Sequence, residues 1–283
     1  YTYLNTRGYQ PTIAVWAEQD LIVTDEFRDG NVPAQKDLVR VLKNAVAGLP
    51  AGVETILVRS DSAAYNHEFL GHCRTQGYLF AVSADMRAEL LAAIRQLPED
   101  AWTTWCHESD VVRQWAEVPY SPAWPYESKQ DKPDRYVAIR LVKKQHEVYA
   151  DGQKIKYFAV VTNRWDLNGE QLLTWHRAKA GTVEAVHNVM KNELAAGVLP
   201  CGRFGANAAW FRLNALTYNI LSLMRRHIFP EALRTARPKR LRFLIFSAGG
   251  ELIHHARQLL YRLGQAYQKL FRWKTIRRDI HRF

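Results

Sequence analysis

Between residues 54 and 96 two short apolar runs, ETILVR and LFAV, alternate with two stretches of helical spacing at about 65–76 and 86–96. The two runs are of buried-strand type. Strand–helix alternation of this kind confines the chain to an α/β core with some parallel pairing. Upstream, QPTIAVW (10–16) and DLIVTDEF (20–27) read as short strands joined by a tight polar turn. Asp29-Gly30-Asn31 is a second turn signal, and Leu38, Val41, Leu42, Val46 and Leu49 then line one face of a helix over 34–49. From about 100 to 165 the texture changes. Trp102, Trp105, Trp115 and Trp124 crowd together, and RYVAIRLVKK and KYFAVVTN read as antiparallel strands separated by the loop PYSPAWPYESKQDKPD. This is a β-rich insertion. Helical spacing returns at 169–195 and 203–227, and a last helix is expected at 250–271.

With 283 residues, 47% of them hydrophobic, the chain can bury a substantial core as one large domain or two. No apolar run approaches the ~18 residues that span a bilayer. The opening YTYLNTRGYQPT lacks the basic and apolar segments of a signal peptide. It reads as the inside of a folded domain, so an N-terminally truncated chain is expected. Cys73, Cys106 and Cys201 are odd in number and far apart, which supports neither a zinc ribbon nor a disulfide framework and fits a reducing, intracellular setting. Cys106-His107-Glu108 are metal-ligand types, but neighbours in a strand point to opposite faces. There is no Gly-rich phosphate loop, and His67, His72, His254 and His255 form no nucleophile–base arrangement.

Charge is unevenly placed. Residues 225–283 carry 15 Lys and Arg against three acids, whereas residues 1–224 are nearly neutral, with 24 basic against 25 acidic residues. Such a segment is the footprint of a polyanion binder, the alternative being a solvated tail. A membrane surface is a poorer fit, since no amphipathic anchor accompanies the charge.

Two carboxylates stand out. Asp61 follows an apolar strand directly, where α/β sheets gather ligands and metals; a helix N-cap is its default role. In WHRAKAGTVEAVHNVMKNEL the apolar stripe Val183, Val186, Met190, Leu194 leaves Arg177, Glu184 and Lys191, seven apart, on another face of one helix. A solvated charge row is the plain reading of that face. Two-metal phosphoryl transfer needs clustered carboxylates as hard oxygen ligands.

The segment LVRSDSAAYNHEFLGHCRTQGYLFAV resembles the second-Asp block of bacterial insertion-sequence transposases with a DDE domain. TWHRAKAGTVEAVHNVMKNELAAGVLPCGRFGANAAWFRLNALTYNIL is similar to the Glu block of that family, with its R-F-x-A-N element and packing helix, and RGYQPTIAVW…FRDGNVPA resembles its intervening hairpin and Gly-Asn turn. Order and spacing hold across roughly residues 7–227. The resemblance implies an RNase H-like mixed sheet flanked by helices, with an inserted antiparallel β subdomain and a basic helical C-terminal tail. The expected divisions are 1–99 (first part of the core, lacking its first strand), 100–165 (β-rich insertion), 166–227 (remainder of the core with the Glu helix) and 228–283 (basic segment).

By the same resemblance Asp61 and Glu184 are catalytic carboxylates that coordinate Mg²⁺, replaceable by Mn²⁺, for DNA strand cleavage and transfer at insertion-sequence ends. A Tyr-x2-Arg-x3-Glu-x6-Lys signature surrounds the Glu in relatives. Glu184 to Lys191 keeps its last spacing, while upstream either Arg177 and Ala180 or, shifted by one, His176 and Lys179 take the first two places. Arg177, Lys179, Lys191, Arg203, Arg225, Arg226, Lys239, Arg240 and Arg242 are the expected DNA contacts. The first Asp of the family precedes the opening hairpin; Asp20 and Asp25 are weaker substitutes. Trp105, Trp115, Trp124 and Trp165 are candidates for stacking on a base, with core packing as the better account of most. The implied partners are terminal inverted repeats and target DNA, bound by a homodimer in the bacterial cytoplasm, associated with the nucleoid. The rival expectations are an inactive DNA-binding remnant and, more remotely, a basic RNA-binding or structural protein.

Overall fold

The computed structural model describes residues 8–108, 110–123, 133–144, 147–247, 249–264, 278 and 280. In chain order the elements are β1 (Thr12–Trp16), β2 (Leu21–Glu26), α1 (Leu38–Ala47), β3 (Leu57–Ser60), α2 (His67–Thr75), β4 (Leu79–Ser83) and α3 (Ala88–Arg95). They continue as β5 (Thr103–His107), β6 (Val111–Val118), β7 (Arg135–Lys143), β8 (Ile155–Thr162), α4 (Gly169–Arg177), α5 (Val183–Asn192), α6 (Phe204–His227), α7 (Pro238–Leu241), β9 (Gly250–His255) and β10 (Gln258–Leu263). The chain divides into a central unit, Asn31–Gly181, and a flanking unit made of Tyr1–Gly30 and Thr182–Phe283.

The central unit is built on one six-stranded sheet in the order β3-β4-β8-β7-β6-β5. β3 and β4 pair in parallel, and every other pair is antiparallel. Side-chain alternation sends Phe80, Val82, Tyr136, Ala138, Ala159 and Val161 to one face, where they pack with Phe69, Leu70 and Cys73 of α2 and Leu90 and Ile94 of α3. The opposite face carries Ala81, Val137, Ile139 and Val160 against Leu172 and Leu173 of α4. Because both faces are covered, β7 is buried without a break from Arg135 to Arg140, which is why its sequence does not alternate apolar and polar. The β-rich segment is antiparallel as expected, and it continues the same sheet through the pairing of β8 with β4.

α4 enters by a close approach. Its N-cap is Asn168, which forms a capping box with Gln171. A Cβ on Gly169 would lie 2.3 Å from the Trp115 ring. Gly169→Ala is therefore expected to destabilise the unit by about 1–3 kcal/mol through overpacking. A thermal melt checks this, and an unchanged midpoint would contradict the close-packed contact.

In the flanking unit β1 and β2 form a bulged antiparallel hairpin. Ile13 and Ile22 pack on Val186, Val189 and Met190 of α5 and on Phe211, Ala215 and Tyr218 of α6. Asn219 satisfies the outer edge of β2, accepting from the Ile22 amide at 2.8 Å and donating to the Ile22 carbonyl at 2.8 Å. A second cluster joins Leu221 of α6 to Phe229, Leu233, Ala236, Leu241 and Ile245.

The architecture is the expected mixed α/β class, a helix-flanked mixed sheet with separate antiparallel hairpins, consistent with an RNase H-like fold. Two local readings change. Helical spacing over 169–195 is not one helix: α4 ends at Arg177, Ala178–Gly181 form a 3-10 turn, and α5 begins at Val183. Arg177 therefore does not share a helix with Glu184 and Lys191. The expected helix at 250–271 is a hairpin over 250–263, with Ala256 (φ 48°) and Arg257 (φ 62°) in its turn; residues 265–271 lie outside the described residues. Positive φ at both central residues suits a two-residue hairpin turn, and short apolar runs cannot be assigned by periodicity alone. No helix among the described residues is long and apolar enough to cross a membrane.

Candidate active site and nucleic-acid interface

Asp61 stands at the C-terminal end of the parallel strand β3, directly after Ser60. Its backbone is extended (φ −80°, ψ −170°), and Oδ1 accepts a hydrogen bond from the Ala63 amide at 3.1 Å. The capping reading is thus partly right, but it concerns a three-residue 3-10 turn, Ser62–Ala64. The longer helix α2 has its own cap in Asn66, which accepts from the Phe69 amide at 2.8 Å. The exposed Asp61 side chain makes no other hydrogen bond or ion pair among the described residues. One carboxylate oxygen is therefore left for a ligand.

The strand end that carries Asp61 is clamped from α4 and the 3-10 turn that follows it. The Ser60 carbonyl accepts from His176 Nε2 at 3.2 Å and from Lys179 Nζ at 3.3 Å. Lys179 also donates to Ser83 Oγ at the end of β4, at 3.3 Å. Arg59 donates to the Trp175 carbonyl at 2.7 Å and lies over the Trp175 ring. These contacts hold the 3-10 turn after α4 against the sheet and account for the break that periodicity missed. His176 is 4% exposed, and burial together with the neighbouring Lys179 charge pushes its imidazole down to about 4. It is neutral at pH 7 and donates one proton to Ser60.

Glu184 belongs to the flanking unit, in the first turn of α5, where a carboxylate complements the helix dipole. Val186, Val189 and Met190 anchor the buried face of α5, and Glu184 is exposed with no side-chain partner among the described residues. Asp61 and Glu184 are both hard oxygen donors with uncommitted lone pairs, a donor chemistry that fits Mg²⁺. Among the described residues no three His, Cys, Asp or Glu gather as a metal-binding group.

The expected cationic residues sort into two kinds. Lys191, Arg203, Lys239 and Arg240 are exposed, and their side chains have no hydrogen-bond or ion-pair partner among the described residues. The others are engaged. Arg177 lies over the Trp105 ring at 5.0 Å, and Arg242 donates to the Glu193 carbonyl at 2.8 Å. Arg226 donates to the Glu18 carbonyl at 2.9 Å and to Gln19. Arg225 pairs with Asp20 at 2.7 Å. Lys179 clamps Ser60, as described.

Asp20 occupies the hairpin turn in the left-handed region (φ 54°) and also accepts from Tyr218 at 2.5 Å and Ser222 at 2.9 Å. Asp25 is paired with Arg212 at 3.1 Å. Both weaker substitutes for the first Asp therefore have structural partners. Glu108 is bound by Arg113 at 2.7 Å, which holds its carboxyl below the usual range, and Cys106 is exposed. Of the tryptophans, Trp105 and Trp115 pack against the α4 face of the sheet, whereas Trp165 is 58% exposed with Arg135 over its ring; Trp124 lies outside the described residues. Residue reading missed the clamp on Ser60. The shifted signature that pairs His176 with Lys179 was the one signal that pointed to it. A family model described as transposase DDE domain group 1 matches residues 1–281. No curated protein matches the chain.

Proposed function

The chain belongs to the transposase DDE domain family, and from this we propose that it cleaves DNA strands at insertion-sequence ends and transfers them to target DNA, using Mg²⁺. The observation that carries this reading is the placement of Asp61. An exposed carboxylate with one oxygen uncommitted sits at the C-terminal end of a parallel strand, on a backbone held by His176 and Lys179. Asp61 and Glu184 are the residues that would hold the metal. Bound Mg²⁺ would stabilise charge on the phosphoryl oxygens and favour ionisation of the attacking hydroxyl.

The protein's own part is positioning. His176 and Lys179 fix the Ser60 carbonyl, so the Asp61 backbone has little freedom to swing the carboxylate away. Lys191, Arg203, Lys239 and Arg240 supply uncommitted charge for backbone phosphates, which orients DNA without reading its sequence. A homodimer on paired terminal repeats and a cytoplasmic, nucleoid-associated location belong to the same proposal.

The test is strand cleavage of DNA carrying the element's terminal repeats by the full-length protein. Products formed with Mg²⁺ or Mn²⁺ and abolished by EDTA are expected. Salt-sensitive DNA binding with no cleavage under either ion would favour the other reading, an inactive DNA-binding remnant. In either case affinity should fall steeply as salt rises, because each phosphate neutralised releases counterions.

A further inference from the structure

The flanking unit contains an open cleft of about 560 Å³ lined by Gln19, Asp20, Ser222, Arg225, Arg226 and Arg234, with His227 alongside. Three guanidinium groups face it against a single carboxylate. That carboxylate is already used: Asp20 accepts from Tyr218, Ser222 and Arg225. Asp20 thereby braces Arg225, whose other Nη donates to the Ala236 carbonyl at 3.3 Å. Positive charge from Arg226 and Arg234 is left without a counter-charge in the cleft. Arg225 and Arg226 have an ordinary explanation, since both lie in the last turn of α6, where cations complement the helix dipole. Arg234 does not. It follows the 3-10 turn Glu231–Leu233, outside α6, is exposed, and its side chain has no hydrogen-bond or ion-pair partner among the described residues.

We propose that this cleft seats a backbone phosphate of duplex DNA, gripped by Arg234 and Arg226, while Asp20 and Arg225 form the frame that shapes it. A planar guanidinium fork matches two phosphate oxygens at once, which Lys cannot do. The cleft is open rather than enclosed, which suits a phosphate carried on a long polymer better than a small anion. Its three arginines belong to residues 225–283, the segment that holds the excess positive charge of the chain. The proposal rests on the DNA-binding part of the reading above and extends it to a site apart from Asp61 and Glu184.

The experiment is equilibrium binding of the full-length protein to duplex DNA across a salt series, comparing wild type with Arg234→Gln and with Lys43→Ala, an exposed cation of α1 outside the cleft. Arg234→Gln is expected to weaken binding equally for specific and unrelated duplexes and to lower the slope of log K against log salt by about 1. Lys43→Ala should leave the slope unaltered. Arg234→Lys should restore the slope, because the charge returns, but only part of the affinity, because the fork does not. Calorimetry with inorganic phosphate separates the sources. Phosphate binding that is lost in Arg234→Gln, together with unchanged DNA binding, would identify a small-anion site and overturn the proposal. An unchanged slope in a protein that binds DNA would overturn the cleft and leave the wider reading intact. Failure of wild type to bind DNA even at low salt would overturn both. Arg234 is exposed and its side chain has no partner among the described residues, so the variants should melt as wild type does.

Discussion

Asp61→Asn is expected to reduce Mg²⁺-dependent strand cleavage by about 1,000-fold or more, while melting temperature and DNA affinity stay close to wild type. The two halves of this expectation separate the two roles that Asp61 can have. As a cap, Asp61 accepts one hydrogen bond from the Ala63 amide, and an Asn side-chain oxygen accepts it equally well. A purely structural Asp61 would therefore tolerate Asn in every assay. As a metal ligand it cannot, because a neutral amide oxygen lacks the charge that holds a divalent ion in competition with water. Glu184→Gln should match it, since Glu184 is exposed and its removal leaves no buried partner unsatisfied. Cleavage retained in either variant would sink the assignment of that residue. A loss of cleavage accompanied by unfolding would return Asp61 to a structural role.

Acidification should destabilise the central unit through His176 by about 3 kcal/mol between pH 6.5 and about 4. The imidazole is buried and neutral in the folded chain, whereas the unfolded chain protonates it near 6.5. Within that window the unfolded state binds the extra proton, so stability is fully present above 6.5 and is lost as pH falls. The check is urea unfolding of wild type and His176→Gln at pH 7 and pH 4. Gln can still donate to Ser60 but does not titrate. The stability difference between the two proteins should therefore move by about 3 kcal/mol in favour of the variant on acidification. Parallel pH profiles would show that His176 is not held neutral.

The elements most readable from the residues were those whose packing partner is a single continuous face. β3, β4, α2 and α3 are local apolar patterns that fold against one another, and the β1–β2 hairpin was marked by its polar turn. The misreadings share a cause. The break between α4 and α5 follows from bonds between residues 116 and 119 positions apart, so nothing in the spacing of 169–195 announces it. The hairpin at 250–263 has apolar runs that serve either period, and Leu252, Leu259 and Tyr261 are exposed, so burial does not declare one.

The same division applies to the site. Residue order and type were enough to place Asp61 at a strand end and Glu184 on a helix, because both follow from short-range pattern; that Glu184 stands in the first turn of α5 came only with the break after α4. They were also enough to locate the excess positive charge in residues 225–283, since charge is a property of composition. Which cations are available was a matter of long-range packing. Arg225 is spent on Asp20, 205 residues away, and Lys179 on Ser60; Arg226 is held by the neutral side chain of Gln19, 207 residues away, and keeps its charge, whereas Lys191, Arg203, Arg234, Lys239 and Arg240 are uncommitted among the described residues. Hydrogen-bond partners separated by a hundred residues or more leave no periodic trace. Folding alone decides whether a charged side chain braces the protein or faces its ligand.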